Sequence, residues 1–430
     1  MIYAEATFSE NGISLAEQGG FEKALLCLRE ALSQVSPGDR ILAIVADMTR
    51  DDNTHELFPS AANIVLERSG NPLDVLIAQG THEPMPEAEK LKKIGLDGTT
   101  APNIAGTLFD HHWDDESRLY EIGKISSDEC FALTNGLIAR EVPLTVNSHL
   151  APGVYDKILI FGATVPHEVV GFAAGAKYLF PGVAGPELTH LTHWIGALAG
   201  IENTIGRIDT PPRRLIERAA EFISAEIICF TSVVTRSSSN DLLTHAIFAG
   251  DFRESFRRAA AISEKVHIHY LPRRYRRVVA LLDSHYNDLW VGGKASYKLG
   301  NIVEPGGELL IYAPHVSEVS TTHGEMITKY GYAPIEIVKR LVESAPELAD
   351  NLCVAAHLSH VAFGSRVENG ETLPRFDIRL CSQIPKDTCE RLNLKYLSPE
   401  DFDPARFQND PDSIVIPNAG KDLYLFKERT

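Results

Sequence analysis

The chain has 430 residues, with 41 Lys and Arg against 58 Asp and Glu, a formal charge of −17, and 16 histidines. At 44% hydrophobic and 23% charged it has the composition of a folded globular protein, and its length divides into two or three domains. The acidic balance argues against a nucleic-acid binder, which needs a basic footprint, and against attachment to an anionic membrane by charge.

In chain order, Ala24, Leu25, Leu28 and Leu32 recur at helical spacing and predict a helix over residues 21–34. The run Ile41–Ala46 is short, apolar and partly β-branched, as a strand buried on both faces is. A helix over 54–68, a strand Leu73–Ala78 and a Glu- and Lys-rich helix after Pro86 follow. Further strands are expected at 144–146, 157–161 and 225–231, with helices at 168–176 and Pro186–Ala199. A second alternating set has strands at 277–282, 308–313 and 352–356, and helices at 288–299 and Ile335–Ser344. Strands alternating with helices give an α/β protein of two domains with mainly parallel sheets. The expected cut is near Tyr270: 1–270 as the cofactor-binding and catalytic domain, and 271–430 as a domain closing over a cleft between them. The cluster Arg273 to Arg277 reads as a solvated linker face.

The six cysteines form no C-x-x-C pair, which fits a reducing compartment. The N-terminus lacks the basic start and apolar run of a signal peptide, and no apolar stretch is long enough to span a bilayer. A cytoplasmic location is the expectation.

In open α/β sheets, ligands bind beyond the carboxyl ends of the strands, and polar groups cluster there in this sequence. Ile41–Ala46 runs into Asp47-Met-Thr-Arg50, and Leu73–Ala78 into Gln79-Gly-Thr-His82. Asp110-His-His-Trp113 lies in a polar stretch between apolar ones, and the strand at 157–161 leads to His167. Any one of these is commonly a cap or turn; four at one sheet edge favour a site. Lys177, among Gly, Ala and Tyr, reads locally either as a nucleophile or tether of lowered pKa or as a solvated lysine. Its surroundings lack the spacing of a P-loop. Glu187-Leu-Thr-His190-Leu-Thr-His193 puts two histidines on one helix face, a weak metal signal without the H-E-x-x-H pattern. Trp290 and Lys294 stand four apart, with Lys294 a cation for a carboxylate or phosphate.

Taken in order, these pieces resemble the nickel-dependent lactate racemase family, from about Phe21 to beyond Gly324. The resemblance rests on Asp47-Met-Thr-Arg50, Gly80-Thr-His-Glu-Pro84, Asp110-His-His-Trp-Asp-Asp115, Pro166-His167, the block from Gly171 through Lys177 to Gly185, His193, and the Asp288-to-Lys294 segment. It implies a nickel-pincer nucleotide, a pyridinium mononucleotide whose sulfur and carbon atoms ligate nickel. By position, Lys177 is the covalent tether and His193 the nickel ligand. Asp47, Thr49, Gly175, Pro181 and Gly182 lie around the cofactor. His111 and His167 are the acid–base histidines, with His112 the alternative to His111. Arg50 and Lys294 hold the substrate, and His82, His190 and Trp290 are neighbours. The implied reaction inverts C2 of a 2-hydroxy acid by hydride removal and return. Two departures stand out. The family's usual Ser-Gly-Gly reads Ala173-Ala-Gly175, and Val291 replaces a substrate-contacting Gln, which points to a longer or more apolar substrate than lactate. The alternatives are a metal-dependent hydrolase using His190 and His193, and a non-catalytic binding protein on the same scaffold.

Overall fold

The computed structural model describes residues 1–98 and 104–427. It divides into two compact units. The first comprises 1–165, 172–192 and 208–266; the second comprises 166–171, 193–207 and 267–430. The main change of unit thus falls at Val266, with two short excursions that a single linear cut does not express.

The first unit is built on a seven-stranded sheet. In chain order its strands are β1 (Ile2–Thr7), β2 (Ile41–Ala46), β3 (Leu73–Ala78), β4 (Ala105–Asp110), β5 (Lys157–Ala163), β6 (Glu226–Arg236) and β7 (Leu242–Gly250). Their spatial order is β1-β7-β6-β5-β2-β3-β4. The five from β6 to β4 pair in parallel, while β7 and β1 add antiparallel strands at one edge. Every residue of β2 is buried, because helices cover both faces of a parallel sheet. The core stacks Phe161 on Phe230 at 4.8 Å between ring centroids, and Phe58 meets Phe161 edge-on at 6.0 Å. Helix α1 (Gln18–Ala31) adds Ala24 and Leu28 to this core, and α2 (Thr54–Ser69) adds Phe58 and Val65.

The second unit carries a five-stranded, wholly parallel sheet. Its strands, in spatial order, are Lys395–Leu397, Asp377–Ser382, Val303–Ala313, Tyr275–Leu281 and Ser413–Ile416. Both units are therefore α/β with mainly parallel sheets, as the alternation predicts.

Three expectations are corrected. Residues 352–356 are not a strand but the start of a helix, Leu352–Ala362. Every residue from Cys353 to Ala362 is buried, so the helix has no polar face to betray its period, and Asn351 caps it through the Val354 N–H. Residues 168–176 do not form a helix, because Gly171, Ala174 and Gly175 take φ of 85°, 83° and 60°. The helix expected over 288–299 is two short ones, Leu289–Gly292 and Lys294–Leu299. Among the described residues no helix is long and apolar enough to cross a membrane.

Candidate functional site

In the first unit, four parallel strands deliver polar groups to one edge. β2 leads into Asp47, which is 5% exposed. Its Oδ1 accepts the Thr49 N–H at 3.0 Å and the Thr49 hydroxyl at 2.6 Å, and its Oδ2 accepts His82 Nδ1–H at 2.5 Å. Burial pushes the Asp47 carboxyl up, but His82, Thr49 and the charge of Arg50 outweigh it and hold it well below the usual carboxylate range. Asp47, Thr49, Arg50 and His82 are thus brought together. Lys93, which no motif marks, fixes the loop: its buried ammonium donates to the Arg50 carbonyl at 3.0 Å and to Asp52 Oδ2 at 2.8 Å.

β3 leads into Gln79, 2% exposed, which ties two strand ends together. Its Nε2 donates to Asp110 Oδ1 at 3.0 Å and its Oε1 accepts the His111 N–H at 2.7 Å. Asp110 is further paired with Lys90. His111 is 1% exposed. Its Nε2 lies 3.0 Å from the Ala184 carbonyl, so it carries the proton, and Nδ1 faces the Asn147 amide at a long 3.4 Å. Burial pushes this imidazole down to about 4, so it is neutral near pH 7, and the weakly held Nδ1 lone pair is where it accepts a proton. His112 is half-buried and lines a cavity of about 380 Å³ with Arg118, Asn147 and His149.

Lys177 sits on a tight turn, Gly175–Tyr178. Its N–H donates to the Ala174 carbonyl at 3.3 Å, and its carbonyl accepts from Gly182 at 3.2 Å. The Gly80 N–H donates to the Gly182 carbonyl at 2.9 Å, which ties this turn to the loop after β3. Gly162, in β5, leaves room for Tyr178, since a Cβ there would stand 2.0 Å from the Tyr178 hydroxyl oxygen. The turn is braced by Arg213, 2% exposed, whose guanidinium donates to the Phe172 carbonyl, and to that of Ala174 at 3.1 Å, and stacks on Phe256 at 3.9 Å. Pro181 and Gly182 follow Lys177 after Tyr178, Leu179 and Phe180, while His190 meets Trp113 edge-on at 6.3 Å. Lys93 and Arg213 were invisible in the sequence because the partners that give them their roles lie 39 or more residues away.

In the second unit, His167 Nδ1 accepts the Val169 N–H at 3.2 Å, and Glu168 Oε2 stands 3.8 Å from the same nitrogen. Lys294 opens the helix Lys294–Leu299, and Lys298 on that helix donates to the Pro166 carbonyl at 2.7 Å. Trp290 lies against His323 at 4.7 Å and His357 at 4.2 Å. His357 is held between the hydroxyls of Tyr297, at 2.6 Å from Nδ1, and Tyr332, at 3.5 Å from Nε2. Burial pushes His357 down to about 3 and His360 to about 4; His193 adds to the lowering of His360 and so lies near it. His360 Nε2 is buried and has no hydrogen-bond partner.

Among the described residues, no group of three or more His, Cys, Asp or Glu is arranged to hold a metal ion. A site with three protein ligands, as the hydrolase alternative needs, is therefore not formed around His190 and His193 among those residues.

Residues 21–204 match the model of the lactate racemase N-terminal domain. A crystal structure of a Thermotoga maritima protein, solved by structural genomics, is 30% identical with a TM-score of 0.83, covering 94% of this chain and 98% of that one. The lactate racemase apoprotein from Thermoanaerobacterium thermosaccharolyticum shares the fold at a TM-score of 0.71 and 15% identity, covering 94% of this chain and 93% of that one. No curated protein sequence matches the chain.

Proposed function

The chain belongs to the lactate racemase family, which supports an isomerase role, and from that premise we propose that it inverts C2 of a 2-hydroxy acid. The observation that carries this reading is a convergence at one sheet edge. Asp47, Arg50, the neutral His111 and the braced Lys177 turn all lie within the segment matched to the racemase domain.

The residues present fit a nickel-pincer nucleotide. The buried hydroxyl of Thr164, one residue past β5, and that of Thr54, at the start of α2, have no partner, so polar atoms at this edge await one. In the second unit the unpartnered Nε2 of His360 lies near His193. Lys177 would tether the group and His193 would ligate its nickel, while Asp47, Thr49, Gly175, Pro181 and Gly182 would surround it. When bound, it supplies a reversible acceptor for hydride.

The chain's own residues do the rest. Arg50 and Lys294 bind the substrate carboxylate, two cations in an acidic protein. The hydroxyl proton must leave as the C2 hydrogen departs, and a histidine takes it. His111 accepts at Nδ1, and it is neutral for that purpose at pH 7. His167 returns a proton on the other side of the reaction, and the two exchange roles for the opposite enantiomer. By the resemblance, Val291 stands where the family has a substrate-contacting Gln, which fits a side chain longer or more apolar than that of lactate.

The test is the intact mass of protein made together with the cofactor-forming enzymes. A mass increase mapping to Lys177 is expected. Full racemase activity with unmodified Lys177 would overturn the assignment.

A further inference from the structure

The stretch Pro166–Gly171 belongs to the second unit, with the helix Lys294–Leu299. His167 Nδ1 accepts the Val169 N–H, so the neutral ring carries its proton on Nε2. Glu168 Oε2 stands 3.8 Å from that Nδ1, the two side chains being 11% and 20% exposed. That separation is too long for a hydrogen bond and short enough for a strong charge interaction in a partly buried place. Lys294 and Lys298 are one turn apart and share a helix face. Lys298, 5% exposed, reaches the Pro166 carbonyl, which brings that face onto the segment carrying Glu168.

Titratable groups on its own segment and on two helices act on Glu168, and the Thr204 hydroxyl donates to its carbonyl. His167 is its neighbour, Lys294 and Lys298 face it from one helix with Tyr297, and His357 and His360 face it from the helix Leu352–Ala362. Burial pushes its carboxyl up, but His167, Lys294 and Lys298 hold it well below the usual range, so it is ionised.

An imidazole close to two lysines is a poor base, because a proton taken up there adds a third positive charge. It also acquires a second N–H. The Val169 N–H, a donor, cannot satisfy it; Glu168 Oε2 can, after a movement of about 1 Å. We propose that Glu168 is a positioning residue for the reaction: it accepts the Nδ1–H of protonated His167, which leaves the Nε2–H to be given to a substrate oxygen, and it balances Lys294 and Lys298, so that His167 can hold its second proton while both lysines stay charged. His111, by contrast, has its ring nitrogens against an uncharged carbonyl and an uncharged amide. The two histidines are therefore unequal bases.

This inference rests on reading His167 as a proton-transfer group, and its test is separable from that reading. Histidine ring nitrogens are titrated by NMR in the full-length apoprotein, with the His167 signal assigned by its loss in His167→Gln. In Glu168→Gln the His167 midpoint falls by about one pH unit, and Glu168→Asp retains most of the wild-type value. Should Glu168→Gln fail to fold, Lys298→Met reads the same field with the opposite sign and raises the midpoint. An unchanged midpoint in Glu168→Gln, or in Lys298→Met where that is the variant read, overturns the inference. In cofactor-loaded enzyme the acid limb of kcat/KM moves to lower pH in Glu168→Gln, which a merely structural role would not produce. Failure of loaded wild type to invert any 2-hydroxy acid would sink the functional reading and leave the apoprotein midpoints as they are.

Discussion

Ala174 has φ 83° and ψ 174°, a conformation that glycine adopts and alanine resists. The strain is worth about 1–3 kcal/mol. It can be isolated by comparing two identical substitutions, Ala174→Gly and Ala173→Gly. Both alanines are buried, at 1% and 6% exposure, and Ala173 has an ordinary negative φ. Each substitution loses one buried methyl, about 0.8 kcal/mol. Each also adds unfolded-chain freedom worth roughly 0.5–1 kcal/mol. Ala173→Gly should therefore destabilise by roughly 1–2 kcal/mol. At Ala174 the released strain offsets the same losses, so the change should be near zero or stabilising, and the two variants should differ by about 1–3 kcal/mol. Urea denaturation of the pair measures the difference directly, and common errors of extrapolation cancel. Equal losses at both positions would refute the claim that the backbone beside the Lys177 turn is held under strain.

Asp52→Ala should destabilise by about 3–5 kcal/mol in urea melts, because it strands the buried Lys93 ammonium. The double variant with Lys93→Met should recover part of that loss; no recovery would count against the pair as the cause. Stability should fall as pH drops from about 6.5 toward 4.5. His111 and His357 are held neutral down to about 4 and about 3, while the unfolded chain protonates near 6.5 and so binds more protons across this window. Asp47, whose pKa is lowered, contributes stability present above about pH 4 and lost below it, outside that range. His111→Gln should flatten the slope, and an unaltered slope would show that the ring is not held neutral. In cofactor-loaded enzyme His111→Gln should cost roughly 100-fold or more in inversion rate. His112→Gln should leave most of it, and the reverse order would move the acid–base role to His112.

The strands that build the sheet edge were legible because each is a short apolar run ending in polar residues: Ile41–Ala46 before Asp47, and Leu73–Ala78 before Gln79. The helix Leu352–Ala362 was not, since a helix buried all round has no amphipathic period, and its apolar start reads as a strand. The turn at 171–178 was hidden by a different cause. Ala173 and Ala174 favour helix by composition, and only the tertiary fold, through Arg213 and the carbonyls it binds, holds Ala174 at positive φ. The site's principal residues carry motifs, whereas Lys93, Arg213 and Glu168 are ordinary in sequence and acquire meaning only from what the fold sets beside them. The excursions of 166–171 and 193–207 into the second unit likewise depend on contacts that no local pattern encodes.

The central claim is that C2 is inverted by removal and return of hydride rather than by proton abstraction. One enantiomer of a 2-hydroxy acid, incubated with cofactor-loaded enzyme in deuterium oxide, tests it, with the product resolved by chiral chromatography and its C2 position read by mass spectrometry. The account predicts a racemic product that keeps its original hydrogen at C2. Deuterium at C2 in step with inversion, or no inversion of any 2-hydroxy acid, would contradict it.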